Sequence, residues 1–331
     1  MGSFEAQEFL FQRIKELLPT DISLVDTVAE ILHVSSDSSY RRIRGETPLV
    51  LDEAKQLCDY FHLSLDQLLN LKSGFTIFQT ERLHYKNYIF ENYLKGILYQ
   101  LQQVHGFMQK EIIYLCKDIP FFHYFLSEPQ LAFRYFFWMK SILRHPDFEN
   151  RHFTMDCLTP EVKKIATQMV QAYNSIPSVE IWNTECVNSL IFQVEYYREA
   201  GFFSSEEDVK TIYDAAEESL WHLKTQAEYG CKFLPGENPQ MKKNNFKLFY
   251  NRVTLGDNTI LAITDRLKTV FLNYDVMNYM MTRDDKFCND TYDEMQILMG
   301  RSTMISSSSE KQRNIFFNIL TGKIQDRKHN L

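Results

Sequence analysis

The stretch Val28–Leu69, VAEILHVSSDSSYRRIRGETPLVLDEAKQLCDYFHLSLDQLL, predicts the fold of the N-terminal part of the chain. Serines stand where helix caps are needed, and Gly45 stands where a helix would end. Working outward, apolar residues recur at helical spacing on both sides. We expect a complete domain over 1–72. Its five predicted helices are Phe4–Leu17, one capped by Ser23 that carries Val28 and Leu32, one from Ser35 to Arg44, Leu51–Phe61, and one around Leu65–Leu69.

The third predicted helix, about residues 36–44, has the chemistry of a DNA-reading element. A short helix fits the major groove, where base edges show a distinct pattern of hydrogen-bond donors and acceptors. Small polar side chains and arginines suit its outer face, and an arginine can donate two hydrogen bonds to a guanine edge. The residues predicted to contact bases or phosphates are Ser36, Ser38, Ser39, Tyr40, Arg41, Arg42 and Arg44.

Roughly residues 20–70 resemble the Cro/C1-type (XRE, lambda-repressor-like) helix-turn-helix regulators. The resemblance implies a five-helix domain whose third helix enters the major groove. It rests on Val28–Ala29–Glu30, Leu32, Val34–Ser35, Arg41, Arg44–Gly45, Ala54, Leu57 and Leu63–Ser64–Leu65–Asp66. The chain also resembles a group of bacterial regulators with a long helical C-terminal region, through Asp37–Arg42, Gln226–Ala227–Glu228 and Leu255–Gly256–Asp257–Asn258–Thr259.

Three positions depart from the Cro/C1 pattern. Val25 stands where the family often has a phosphate-binding Gln, His33 replaces the turn Gly, and Asp37 places a carboxylate at the front of the reading helix. Residues 1–72 carry seven Lys or Arg against twelve Asp or Glu, a net charge of −5. Three of the seven basic residues lie on one helix, so we expect poor non-specific affinity and specific binding by a dimer.

The middle of the chain, 75–234, is predicted to be an all-helical bundle or short solenoid that serves dimerisation and could hold an effector pocket. Apolar residues recur in a double stripe from Tyr85 to Val104, which is typical of a helix packed against several neighbours. An aromatic band follows further along the chain. Such bands most often form core, and the alternative is an effector pocket or dimer surface. The residues assigned to that alternative are Phe133, Phe137, Trp138 and Trp182.

The last segment, 240–331, is predicted to be a small α/β module. Phe246–Leu255 and Thr259–Asp265 look like two strands around a turn, with a third strand at Lys268–Leu272. Helical patterns return near Val276–Met281 and later in the chain. The whole chain is therefore predicted to be mainly α, with a helix-turn-helix domain, a helical middle bundle and this C-terminal module.

Composition and motifs exclude several classes of protein. The formal net charge of −7 argues against a general polyanion binder. The six cysteines are widely spaced, as expected of core thiols in a reducing cytoplasm. His145 and His152 lack the spacing of a metal pair, and no phosphate-binding loop or serine nucleophile motif occurs. We expect no membrane span, no metal, no cofactor and no enzymatic activity.

These observations favour a cytoplasmic bacterial transcription regulator that binds operator DNA as a homodimer, with a small molecule or peptide as a conceivable effector. The alternative is a protein–protein adaptor that retains the helix-turn-helix fold without binding DNA. A positive stripe over Arg41, Arg42 and Arg44 would favour DNA. A hidden enzyme in the last 90 or so residues has only Asp257, Asp265 and Asp275 in its favour, and these are more simply turn residues.

Overall fold

A computed structural model of the protein describes residues 5–19, 22–65, 75–80, 90–239, 244–253 and 256–329. Its helices are α1 (Glu5–Leu17), α2 (Leu24–Leu32), α3 (Ser36–Ile43), α4 (Leu51–Phe61), α5 (Phe90–Gly106), α6 (Glu128–Phe137), α7 (Pro160–Ser175), α8 (Asn188–Glu199), α9 (Glu206–Tyr229), α10 (Asp285–Gly300) and α11 (Glu310–Lys328). Its strands are β1 (Gln79–Thr80), β2 (Lys110–Cys116), β3 (Ser178–Trp182), β4 (Phe246–Tyr250), β5 (Thr259–Thr264), β6 (Lys268–Asn273), β7 (Tyr279–Thr282) and β8 (Thr303–Met304). Short 3₁₀ segments cover Phe121–Leu126, Pro146–Phe148 and Met155–Cys157, and a π turn covers Trp138–Ile142.

Helices α1 to α4 form the N-terminal module and pack around their own apolar core. Ser23 Oγ accepts a hydrogen bond from Asp26 N at 3.3 Å, and Ser35 Oγ accepts one from Ser38 N at the same distance. Both predicted caps are confirmed, because each serine satisfies a backbone N–H that has no partner within its helix. Most of the fifth predicted helix, Leu65–Leu69, lies outside the described residues.

The prediction of a mainly α fold is wrong for the rest of the chain. The described residues contain an eight-stranded mixed sheet with the order β1-β7-β6-β5-β2-β3-β4-β8. Strand β2 is parallel to β3, and β3 is parallel to β4. The remaining pairings are antiparallel. The middle region is therefore not an all-helical bundle, since it supplies β1 and the neighbouring strands β2 and β3.

Strands β2 and β3 escaped prediction because they are covered on both faces. All five residues of β3 are buried, and they include the polar Ser178 and Glu180. A strand covered on both sides shows no alternation of apolar and polar residues, so its sequence resembles a buried helix segment. The strand–helix–strand order of β2, α7 and β3 makes a parallel pair joined by a helical crossover.

The C-terminal strands belong to the same sheet. Strands β4 and β5 were expected to pair around a turn, but β4 pairs with β3 and β8 whereas β5 pairs with β2 and β6. The segment near Val276–Met281 was expected to be helical, and β7 lies there instead. Residues 240–331 are thus not a separate small module, because their strands pair with β1, β2 and β3, which residues 75–234 contribute.

The two faces of the sheet differ in cover. On one face, α5, α6, α7, α9 and α11 share the main core with alternate residues of β2 and β4. On the other, a smaller cluster joins Ile113, Val179 and Leu261 to Cys288 and Met295 of α10. Within the described ranges, no helix is both long enough and apolar enough to cross a membrane.

A charged cluster lies beneath the centre of the sheet. Glu180 is fully buried, and its carboxylate accepts hydrogen bonds from Tyr173 Oη at 2.6 Å and Trp182 Nε1 at 2.9 Å. His123 Nε2 lies 2.9 Å from the same carboxylate. Burial by itself raises the pKa of Glu180, but His123 and the hydrogen bonds outweigh it, so the pKa lies below its usual range. Nearby, Lys232 Nζ donates to backbone carbonyls of Tyr173 and Ile176.

We expect Gly230→Ala to lower the free energy of unfolding by about 2 kcal/mol or more. Gly230 ends α9 with φ of +64°, a conformation that costs an L-residue roughly 1–2 kcal/mol, and an added Cβ would overlap Ser307 Oγ. Gly201→Ala is the matched control, because φ is +68° there but no atom lies within 4 Å of the added Cβ. Urea unfolding should show the larger loss at Gly230, and equal losses would contradict this packing.

Lys232 should make stability depend on pH. Burial lowers the pKa of Lys232 to about 7, while Glu180 acts in the opposite direction. Between pH 7 and about 10 the unfolded chain therefore holds a proton that the folded chain does not, so raising the pH favours the folded state. Urea unfolding at pH 7 and 9.5 should show the wild type gaining stability relative to Lys232→Met. A pH-independent difference between the two proteins would contradict the assignment.

Candidate nucleic-acid interface

The turn between α2 and α3 is made by residues that end one helix and begin the next. His33 closes α2 in the left-handed region, with φ of +54°. Val34 N donates to Ala29 O at 3.0 Å, which satisfies a carbonyl in the last turn of α2. Ser35 then caps α3. The chain therefore makes the predicted helix-turn-helix, with His33 taking the conformation that usually favours glycine.

The outer face of α3 presents polar and aromatic side chains at helical spacing. Ser36, Asp37, Tyr40 and Arg41 are exposed, and Arg44 at the end of the helix is exposed as well. Tyr40 keeps 46% of its surface accessible. Of the predicted contacts, Ser36, Tyr40, Arg41 and Arg44 are thus brought together on one accessible face.

Ser39 lies on the opposite side of α3. It is fully buried, and its Oγ donates to Val25 O at 2.8 Å. This bond joins α3 to α2 at the position where the Cro/C1 pattern often has Gln. Because the hydroxyl is enclosed and already used, Ser39 as placed serves the packing of the two helices, and we leave it out of the interface proposed below.

Arg42 is directed toward α4. Its Nη2 and Nε donate to Glu53 Oε1 and Oε2 at 2.8 and 3.1 Å, a two-bond geometry typical of arginine and carboxylate. Its Nη1 donates to Ser38 Oγ at 2.6 Å. The hydrogen bond from Arg42 is the main reason why the pKa of Glu53 lies below its usual value. Arg42 and Ser38 therefore hold α3 against α4, and they too are left out of the proposed interface.

Arg41 and Arg44 share a single carboxylate. Glu46 lies 3.8 Å from Arg41 Nε and 4.0 Å from Arg44 Nε, and the three side chains are 50–59% exposed. Arg44 Nη1 also donates to Tyr40 Oη at 3.1 Å. Exposed ion pairs of this length contribute roughly 0–1 kcal/mol, so both guanidinium groups can exchange Glu46 for a stronger anion.

Gln7 supports the reading helix in a way that the sequence prediction missed. Its Nε2 donates to Arg42 O and Thr47 O at 2.7 and 2.9 Å, and its Oε1 accepts from Leu49 N at 2.8 Å. These bonds anchor the segment that leaves α3. A signal was present, because Gln7 falls on the buried face of α1 that Leu10 and Phe11 continue at helical spacing.

The aromatic residues assigned to an effector pocket or a dimer surface lie in the core of the sheet-containing body. Phe133 and Phe137 contact the ring of Tyr197, with centroids 5.6 Å apart in each case. Trp138 contacts Phe90, and Trp182 donates to Glu180. All four predicted side chains are buried. They hold helices and sheet together, so this band forms core and offers no exposed surface to a partner.

Clefts occur instead where the N-terminal module meets the sheet. One of about 400 Å³ is lined by Gln12, Lys15, Glu16, Asp265 and Arg266. Across it, Arg266 donates to backbone carbonyls of Lys15 and Leu18, at the end of α1. Arg13 forms an ion pair with Asp285 of α10 nearby. In the part of the chain that the structure describes, no three His, Cys, Asp or Glu side chains converge as metal ligands.

We expect Arg42→Ala to destabilise the N-terminal module by about 1–2 kcal/mol, because it leaves the partly buried Glu53 carboxylate without its arginine partner. Lys55→Ala is the matched control, since the Lys55–Asp59 pair lies on the same helix as Glu53 but is well exposed. Thermal unfolding should show a clear loss for the first variant and little change for the second. Equal effects would mean that Arg42 is not held by Glu53.

Comparison with known proteins agrees with this geometry at the level of the domain. No curated protein and no solved structure matches the chain. The family model that matches the chain is not specific to the Cro/C1 regulators, so the finer resemblance to that family stays a prediction. Residues 5–84 match the model of the BetR domain, which is a helix-turn-helix type of DNA-binding family.

Proposed function

We propose that this protein is a sequence-specific transcription regulator of the bacterial cytoplasm that inserts α3 into the major groove of operator DNA. The observation that carries the proposal is the separation of roles on α3. Its inner side is occupied by Ser39 and Arg42, while Ser36, Tyr40, Arg41 and Arg44 remain accessible on the outer side. A helix held rigidly from behind, with donors in front, suits the reading of base edges.

The same geometry supports binding as a homodimer. Only two arginines stand on the accessible face, and Asp37 and Glu46 lie beside them. A single module would make few phosphate contacts, and each contact adds to both affinity and salt dependence. Two modules on two half-sites double the contacts and add specificity. We therefore propose a dimer whose contacts lie elsewhere than the buried aromatic band.

A second candidate function follows from the same carboxylates. Asp37 and Glu46 reduce the positive potential over α3, which favours an adaptor that contacts a protein through this face. Selection from a random duplex pool by the full-length protein separates the two functions. An enriched palindrome whose retention falls steeply with salt supports the dimeric regulator. Absence of any enriched sequence at low salt, with and without cell extract as a source of effector, would favour the adaptor.

Arg41→Ala combined with Arg44→Ala should weaken binding to the selected duplex at least tenfold, because a good arginine–base contact contributes about 1–3 kcal/mol. Both side chains are exposed, so the melting temperature should not change. Glu46→Gln should act oppositely and tighten binding at low salt, because it removes the carboxylate that competes with DNA for both arginines.

Lys286→Ala supplies the control for charge, since Lys286 is a well-exposed cation on α10, outside the N-terminal module. Its affinity for the selected duplex should equal that of the wild type in a fluorescence anisotropy titration. If the double arginine variant bound as tightly as this control, α3 would not be the reading helix.

A further inference from the structure

Gln7 of α1 holds the chain on both sides of the turn that follows α3. Its side chain is buried, with 9% of its surface accessible. Nε2 donates to Arg42 O in the last turn of α3 and to Thr47 O beyond it, and Oε1 accepts from Leu49 N. Both N–H groups of the amide are used, and exchanging its oxygen and nitrogen would place acceptor against acceptor. The side chain therefore fits this segment in one orientation.

The segment held by Gln7 carries part of the proposed interface. Arg44 and Glu46 lie within it, and Gly45 between them turns the chain with φ of +72°. Gly45 N donates to Arg42 O at 3.0 Å, and this is the carbonyl that Gln7 also binds. The position of Arg44 on the accessible face therefore depends on a turn that α1 holds.

The other end of α1 is attached to the sheet-containing body. Lys15 O lacks its usual helical partner, because the residue four positions ahead is Pro19, which has no N–H. Arg266, in the turn between β5 and β6, donates to this carbonyl and to Leu18 O. A cation at the C-terminus of a helix is also favoured by the helix dipole. Arg266 thus caps α1 from the body.

Helix α1 is fixed between its two attachment points. It has 13 residues, and Leu10, Phe11 and Ile14 in its middle are buried in the core of the N-terminal module. On the body side, Thr264 Oγ1 accepts two backbone hydrogen bonds within the turn between β5 and β6, which fixes that turn as well. Rigid helices and hydrogen-bond networks of this kind can carry energetic coupling between distant sites.

We propose that α1 links the sheet-containing body to the reading helix, with Gln7 as the residue that positions α3 and Arg266 as the residue that positions α1. This link rests on the proposed function, since it takes α3 as the helix that enters DNA. Loss of either contact lets α3 move relative to the groove while its arginines remain. Recognition of sequence should then suffer more than general affinity, because base contacts carry the sequence information and phosphate contacts do not.

Gln7→Met tests the first contact, because it keeps the length of the side chain and removes its three hydrogen bonds. Gln12→Met is the matched control, since Gln12 lies exposed on the same helix. Hydrogen exchange of the full-length protein without DNA should be several-fold faster at the Leu49 amide in Gln7→Met, with the Leu57 amide of α4 unchanged. Gln12→Met should match the wild type. Unchanged exchange at Leu49, or an equal rise at Leu57, would overturn the role of Gln7.

Affinities for the selected duplex and for a scrambled duplex of the same composition separate positioning from stability. A smaller folded fraction weakens binding to both duplexes by the same factor, so the ratio of the two affinities does not change. A displaced α3 lowers the ratio. We expect a loss of about tenfold in Gln7→Met, comparable to one arginine–base contact, and a smaller loss in Arg266→Ala. A wild-type ratio in either variant would contradict the link.

Two further variants test whether both residues act through α1. Gln7→Met combined with Arg266→Ala should lower the ratio little further than Gln7→Met alone, whereas independent sites would multiply their effects and so refute the link. Gln79→Ala is the docking control, since Gln79 of β1 donates to His62 O at the end of α4 and not to α1. It should keep the wild-type ratio, and a loss equal to that of Arg266→Ala would mean that docking in general matters, not α1.

The link and the proposed function can fail separately. Arg266→Ala keeps the link testable even if Gln7→Met does not fold, because Arg266 lies outside the core of the N-terminal module. If Arg41→Ala with Arg44→Ala abolished binding while Gln7→Met and Arg266→Ala kept the wild-type ratio, the proposed function would stand and the link would fail. If the wild type selected no duplex, the proposed function would fail, and the link to DNA reading with it, whatever the exchange at Leu49.

Discussion

The packing of helices on the sheet depends on the groups that stabilise one buried carboxylate. Glu180 occupies the middle of β3, where a charge without partners would cost several kcal/mol. Donors from His123, Tyr173 and Trp182 replace the lost water, and these residues lie on a 3₁₀ segment, on α7 and on β3 itself. The carboxylate thereby fixes how two of the covering elements sit on the sheet. Helices and strands of this body cannot be repositioned independently of that cluster.

Polar contacts also hold a helix in position in the N-terminal module, on a smaller scale. Its apolar core is small, and α3 adds to it one fully buried polar residue, Ser39, and the partly buried Ile43. Gln7, Ser39 and the Arg42–Glu53 pair hold α3 in place by hydrogen bonds to α1, α2 and α4 and to the adjoining backbone. A polar helix can therefore be held firmly in place, and its outer side chains are not needed for its packing.

Local signals in the sequence were sufficient to predict the fold of the N-terminal module but not that of the sheet-containing part. Caps such as Ser23 and Ser35 depend on a few neighbouring residues, and the structure has them as predicted. The formation of strands β2 and β3 depends on the segments that cover them, and those segments lie far away in the sequence. The arginines show the same limit, because neither composition nor spacing distinguishes Arg42, bound to a residue eleven positions ahead, from Arg41.

The strand order has a consequence for how the chain folds during synthesis. Residue 112 of β2 pairs with residue 262 of β5 and with residue 178 of β3, so the sheet cannot close until most of the chain has been made. The helix-turn-helix contacts are all local by comparison. Proteins with distant pairings fold more slowly, and domains fold in the order in which they are synthesised. The nascent chain should therefore carry a finished N-terminal module while strands β2 and β3 still await the later strands that pair with them.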